Sequence, residues 1–159
     1  MKIKELLIKN LNASIDAKKL LIEDIINSQI FEDATNEVIN RYQNGGRLYI
    51  AGNGGSAADA QHLAAEFVSK LAKDRNPLPA EALTVDSSIL TAIGNDYGFE
   101  KIFSRQIQGK ITNKDIFLAI TTSGMSPNIL EALKKCNEMN VPSILFTGKD
   151  GGDAKSLAT

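Results

Sequence analysis

Residues 47–68 read RLYIAGNGGSAADAQHLAAEFV, and this stretch decides the fold class. It opens with a short apolar run, RLYIAG, that ends in glycine. A glycine-rich turn follows, and then a helical pattern. Ala60, Leu63, Ala64, Phe67, Val68 and Leu71 fall at i, i+3, i+4, i+7, i+8 and i+11, the stripe of a helix laid against a sheet, and the helix is expected over 56–73. A strand running through a tight turn into such a helix is the first half of a βαβ unit.

Working outward, the same texture repeats. ALTV (82–85), DIFLAITTSG (115–124) and PSILFTG (142–148) are candidate strands, with helical patterns at 87–94, 99–109 and 127–139 between and after them. Apolar strands alternating with helices predict an α/β fold: a three-layer αβα sandwich around a parallel sheet. KDRNPLPAE (73–81) carries two prolines and reads as a connecting loop. Upstream, residues 2–43 read as helix. Ile3, Leu6, Leu7, Leu11, Ile15, Leu21, Ile22, Ile25 and Ile26 recur at threes and fours, with a break near Asn27–Ser28 and a stop at Asn44-Gly45-Gly46. Ile8 and Leu20 widen the first stripe. That width fits one broad face buried in the chain, or a face buried against another subunit. The expectation is a single domain over 1–159, with N-terminal helices at 1–44 and an α/β core at 45–159.

Composition narrows the function classes. The 159 residues are 43% hydrophobic and 23% charged with a formal net charge of −1. No basic block stands out, so neither nucleic acid nor an anionic membrane is expected as partner. The start, MKIKELLIKN, interrupts its apolar residues with charges and does not read as a signal peptide. No run reaches membrane-spanning length. A cytoplasmic protein is expected. Cys136 is the single cysteine and follows Ile129, Leu130 and Leu133 at helical spacing, which reads as a core position.

Three polar loops fall where strands of a parallel sheet end, the place where such folds bind ligands. GNGGS (52–56) brings Asn53, Gly54, Gly55 and Ser56. Its glycines allow close approach of backbone amides to a ligand, and Ser56 can cap the next helix. The motif is neither G-x-G-x-x-G, since Ala57 stands where the third glycine belongs, nor a P-loop. Alone it is a weak signal, and a tight strand-to-helix turn is the plain alternative. TTSGMSPN (121–128) offers hydroxyls at Thr121, Thr122, Ser123 and Ser126, then Pro127 at a first helical position. Hydroxyls, turn amides and a helix N-terminus suit a phosphate without a lysine. Capping would account for Ser126 but not for the other three. GNDYGF (94–99) places Asn95 and Asp96 where they could bond sugar hydroxyls, or form an ordinary turn.

On the helix after Ser56, Asp59, His62, Glu66, Ser69, Lys70 and Lys73 make a polar stripe. His62, the one histidine, and Glu66 are one turn apart. Such a pair is commonly just a solvated face. The same spacing lets two side chains reach one ion or one substrate.

Taken together, GNGGSAADAQHLAAEF, GNDYGFEKIFSRQI, TTSGMSPNI and TGKDGG, in this order, resemble the sugar isomerase (SIS) domain family, and within it the phosphoheptose isomerases that act on sedoheptulose 7-phosphate. The resemblance covers nearly the whole chain and implies a flavodoxin-like αβα fold. It implies an aldose–ketose isomerase that makes D-glycero-D-manno-heptose 7-phosphate, toward lipopolysaccharide or related surface glycans. By the same resemblance Asn53, Gly54, Gly55 and Ser56 line the sugar site, and Asn95 and Asp96 contact substrate. Thr121, Thr122, Ser123 and Ser126 hold the phosphate. His62 and Glu66 are zinc ligands, with Glu66 also the general base. A homotetramer with sites at subunit contacts is implied too. A non-enzymatic relative, a tetramer that binds the replication initiator protein, shares the fold but lacks the carboxylate at the Glu66 position, so Glu66 favours the isomerase.

Two departures stand out. Lys70 occupies a position where close relatives often carry arginine, which keeps the charge and loses the bidentate fork. The family's remaining metal ligands, a glutamine and a histidine that serves as general acid, lie on a helix past the fourth strand's loop. The sequence runs to Thr159, short of that helix, so the segment bearing them is expected to be missing. The tail GKDGGDAKSLAT turns at Gly151-Gly152 and begins a short helix with Asp153 as its candidate cap, so either the tail is expected to fray or the last part of the fold is expected to be lacking.

Overall fold

A computed structural model describes residues 2–159; the side chains of 25–27 lie outside the described residues, and with them the expected burial of Ile25 and Ile26. The chain divides into two compact units, one ending at Glu37 and one covering Val38–Thr159.

The first unit holds helix α1 (Ile3–Asn27) and the start of helix α2 (Ile30–Gln43). The break expected at Asn27–Ser28 is present, because Ser28 takes up extended backbone. Among the described residues of α1 the large apolar side chains are exposed, from Leu6 at 44% to Ile3 at 87%.

In the second unit α2 ends at Gln43, and Gly45 turns the chain at φ 77° into strand β1 (Leu48–Gly52). Helix α3 (Gly55–Val68), strand β2 (Ala80–Ala82) and helix α4 (Ser87–Tyr97) follow. A 3-10 turn at Phe99–Lys101 leads to helix α5 (Ser104–Lys110), so the helix expected over 99–109 is split. Strand β3 (Ile116–Thr121), helix α6 (Pro127–Glu138) and strand β4 (Ser143–Thr147) complete the core. The four strands are parallel in the order β2-β1-β3-β4.

Alternation along the strands builds the layers, since successive side chains point to opposite faces. Leu48, Ile50, Ile116 and Leu118 face one side with Ala60 and Ala64 of α3, where Val38 and Tyr42 of α2 also pack. Tyr49, Ala51, Phe117 and Ala119 face the other, against Ile107 of α5 and Ile129, Leu133 and Cys136 of α6. The result is the expected αβα sandwich.

Three boundaries differ from the sequence reading, each for a local reason. The second strand runs over 80–82 rather than 82–85, because Asp86 caps α4 through the Ile89 amide at 2.9 Å and the chain must already be turning. Leu83 is still buried, its amide bonded to the Ile50 carbonyl. Helix α3 stops at Val68 instead of 73. Arg75 folds back and donates to the Phe67 and Glu66 carbonyls, both at 2.9 Å, satisfying groups that a helix C-terminus leaves open. Val68 and Leu71 consequently leave the buried stripe, at 47% and 78% exposed. The tail forms a 3-10 turn at Asp153–Ser156, with Asp153 inside it rather than capping it. It is docked: Ala154 is fully buried, and Ser143 donates its amide to the Thr159 hydroxyl at 3.2 Å.

Burial pushes the Cys136 thiol up to about 12. It also pushes the Tyr42 hydroxyl up to about 12, partly opposed by the Arg75 charge. Both groups hold their protons more tightly folded than unfolded. Their contribution to stability is full below the unfolded values and is lost as pH rises through about 12. Denaturant midpoints measured from pH 8 to 11 should fall on the alkaline side. In native protein at pH 8, Cys136 should react with a thiol reagent only at the rate of unfolding; rapid labelling would show that the α6 core is open.

Candidate functional site

The connections after β1 and β3 leave in opposite directions. α3 packs on one face of the sheet and α6 on the other. Where the connections from neighbouring parallel strands part in this way, a crevice opens beyond the strands' carboxyl ends. The loops that flank it are 52–56 and 121–126, two of the three loops singled out in the sequence.

The 52–56 loop is a tight turn. A Cβ on Gly52 would lie 2.6 Å from the Ser56 Cβ, so only glycine lets α3 start this close to β1. Gly54 sits at φ 55° and is itself the N-cap, with no side-chain cap. Ser56 does not take the capping role expected of it. It lies one residue inside the helix, its amide bonded to the Asn53 carbonyl at 3.0 Å. Its hydroxyl is thereby free of that duty.

In the 121–126 loop, Ser126 occupies the N-cap position of α6 and Pro127 the first helical position, as expected. Ser126 nevertheless makes no capping bond; its Oγ lies 3.3 Å from the Oγ1 of buried Thr121. The plain capping explanation for this serine therefore fails. Ser123 accepts the Met125 amide at 3.2 Å and shapes the turn, while Thr122 is exposed. The loop is held from behind by the segment after β4. Gly124, at φ 67°, packs so closely that a Cβ there would meet the Gly151 oxygen at 1.9 Å, and its carbonyl accepts the Ala154 amide at 3.0 Å.

A side chain that the sequence reading did not single out ties the two loops together. Asn128, 1% exposed, forms a reciprocal amide pair with Asn53: Asn53 Nδ2 donates to Asn128 Oδ1 at 2.9 Å, and Asn128 Nδ2 donates to Asn53 Oδ1 at 2.8 Å. The sequence did hold a signal for it. Asn128 lies on the buried α6 face with Ala132, Leu133 and Cys136, and a polar residue on an apolar stripe needs a partner.

Asn95 and Asp96 are not on a loop. They form the last turn of α4, with Asn95 Nδ2 donating to Asp96 Oδ1 at 2.8 Å. Among the described hydrogen bonds, neither reaches the two loops. His62 and Glu66 are neighbours on α3 as expected, Nε2 to Oε1 3.3 Å, with side chains 76% and 32% exposed. Glu66 is thus the more sheltered of the pair. Among the described residues no third His, Cys, Asp or Glu joins them, and a catalytic zinc needs about three protein ligands. The residues present do not complete a metal site.

A cleft of about 320 Å³ lies elsewhere, lined by Tyr97, Lys101, Arg105 and Glu131 among others. Its charges are already engaged. Lys101 bonds Glu131 and holds that carboxyl below its usual range, and Arg105 stacks 3.7 Å over the Tyr97 ring. The crevice at the strand ends is the better candidate.

Residues 15–148 match the SIS domain family. A phosphoheptose isomerase of Aneurinibacillus thermoaerophilus is 47% identical over 148 residues, 93% of this chain and 75% of the relative. Among solved structures, a phosphoheptose isomerase from Neisseria gonorrhoeae superposes with a TM-score of 0.90 at 37% identity, covering 99% of this chain and 82% of that one. One from Francisella tularensis gives 0.91 at 34% identity, covering 100% and 82%. No described helix is long and apolar enough to cross a membrane.

Proposed function

This chain belongs to the SIS domain family, and from that premise we propose that it converts sedoheptulose 7-phosphate to D-glycero-D-manno-heptose 7-phosphate through an enediol. Relatives at this identity make it a sugar-phosphate isomerase that acts on a heptose phosphate. The carrying observation for the site is the crevice between loops 52–56 and 121–126, where Ser126 makes no capping bond and sits beside Thr121.

In this reading the hydroxyl loop and the first amides of α6 take the phosphate, because a helix N-terminus favours an anion. Asn53 and the glycine amides bind the sugar. Glu66, roughly 16 Å along α3 from the 52–56 loop and so supplied across a contact of the proposed tetramer, removes the proton from the carbon next to the carbonyl, and the electron pair moves to the carbonyl oxygen, which takes up a proton from solvent to give the enediol. Glu66 then returns its proton to the former carbonyl carbon while the hydroxyl of the other carbon gives up its proton to solvent, which exchanges ketose for aldose with no net change in atoms. The product would feed the making of heptose for surface glycans.

Zinc enters only in a limited form. His62 and Glu66 would supply two of its ligands and another subunit the rest. The zinc content of purified protein, compared with that of His62→Ala, tests this; equal content in both would remove His62 as a ligand. For assembly, the exposed apolar face of α1 supports a homotetramer, since monomers seldom expose so long an apolar stripe. A monomer in sedimentation at micromolar concentration would overturn that.

The reaction itself is tested by incubating the protein with sedoheptulose 7-phosphate and identifying the product by mass spectrometry and NMR. Formation of the aldose phosphate is expected. Turnover of another phosphosugar, but not this one, would change the substrate and keep the class.

A further inference from the structure

We propose that Asn128 is a positioning residue: it holds the Asn53 side chain, and through it the 52–56 loop, at the spacing from the 121–126 loop that a phosphosugar must bridge. The inference rests on the isomerase reading of this crevice.

The geometry carries it. Two hydrogen bonds of 2.8 and 2.9 Å join side chains 75 residues apart, across the point where the connections after β1 and β3 part to opposite faces of the sheet. Asn128 is the fixed member. It is 1% exposed, in the first turn of α6, and followed by Ile129, which is fully buried. Asn53 is the member to be fixed. It is only half-buried, and it lies at the mouth of a turn whose next residues, Gly54 and Gly55, are exposed and carry no side chain to pack. A glycine turn has wide conformational freedom unless something restrains it. Here the restraint at its start is the amide pair, backed by the Asn53 carbonyl that accepts the Ser56 amide. Each amide donates once and accepts once in the pair, leaving Asn53 one N–H and one lone pair for a ligand. Asn128 itself is buried and acts on substrate through Asn53 alone.

A buried asparagine could equally serve stability, and the two roles separate experimentally. Steady-state kinetics on sedoheptulose 7-phosphate would compare wild type, Asn53→Ala, Asn128→Ala and the double variant, per folded protein as judged by circular dichroism. Asn128→Asp serves as a second variant that keeps the volume and replaces the donating –NH2 by an acceptor oxygen. Asn128→Ala should lose about 10–100-fold in kcat/KM, and Asn128→Asp less. The double variant should be no worse than Asn53→Ala within about twofold, because Asn128 acts through Asn53. Wild-type kcat/KM in Asn128→Ala, or losses that multiply in the double variant, would overturn the proposal. Hydrogen exchange gives a readout independent of turnover. The amides of 53–56 should exchange about tenfold faster in either Asn128 variant, with β1 unchanged. If wild type turns over no phosphosugar, the isomerase reading falls, and unchanged exchange at 53–56 would then sink the positioning role as well.

Discussion

Glu66→Gln should lower kcat for the phosphosugar by about 10²–10⁴-fold, the usual worth of a general base. Glutamine keeps the shape of the side chain and removes its ability to accept a proton. The fold should not notice. Glu66 sits on the solvent-facing side of α3 and its contact is His62 at 3.3 Å, a pair whose histidine is 76% exposed. Exposed pairs of this kind contribute at most about 1 kcal/mol. Thermal unfolding and oligomeric state should therefore match wild type while turnover collapses. The split matters: a fall in kcat and kcat/KM together marks an interaction made in the transition state, whereas a rise in KM alone would mark substrate binding. A Glu66→Gln protein with wild-type kcat would remove Glu66 as the base.

The second large effect is expected at a residue with no functional group. Gly124→Ala puts a Cβ 1.9 Å from the Gly151 oxygen and forces a side chain onto φ 67°. A left-handed conformation costs a non-glycine residue roughly 1–2 kcal/mol, and overpacking against backbone about 1–3 more. The sum, roughly 2–5 kcal/mol, corresponds to a melting temperature lower by about 4–20 °C for a chain of this size. Relief can come only by moving the 148–152 segment away, which would also break the Ala154 amide bond to Gly124. The 121–126 loop then loses its backing, so KM for the phosphosugar should rise more than kcat falls. A variant with both wild-type melting temperature and wild-type KM would show that the two loops are not packed as described.

The pairing of His62 with Glu66 is legible from spacing, because i and i+4 are neighbours on any helix. The strand–helix order is legible because burial imposes periods of two and of about 3.6 along the chain. Ends are less legible. Nothing near Val68 marks a helix stop; the stop comes from Arg75, which reaches back to the Glu66 and Phe67 carbonyls. The GNDYGF segment reads as a loop because Gly94 and Gly98 bracket polar residues. Gly94 is instead inside α4, and Asn95 and Asp96 ride on the helix's last turn.

Ser56 and Ser126 mark the limit most clearly. Both stand where a sequence reading puts an N-cap, and neither caps. A cap depends on the direction of one hydroxyl relative to one amide, and that direction is set by what else the side chain meets. For Ser126 it is Thr121, from the preceding strand end.

By itself the sequence determined the αβα class, the parallel sheet, the two polar loops at strand ends and the His62–Glu66 neighbourhood, because each follows from periodicity or spacing within a short stretch. Only the tertiary structure decided that α3 and α6 leave on opposite faces, that Gly124 is clamped by Gly151, and that Asn53 is held by Asn128. Those contacts join residues brought together by the β2-β1-β3-β4 strand order. The partner a buried polar atom finds across such a fold is a matter of three-dimensional geometry, which no local pattern records.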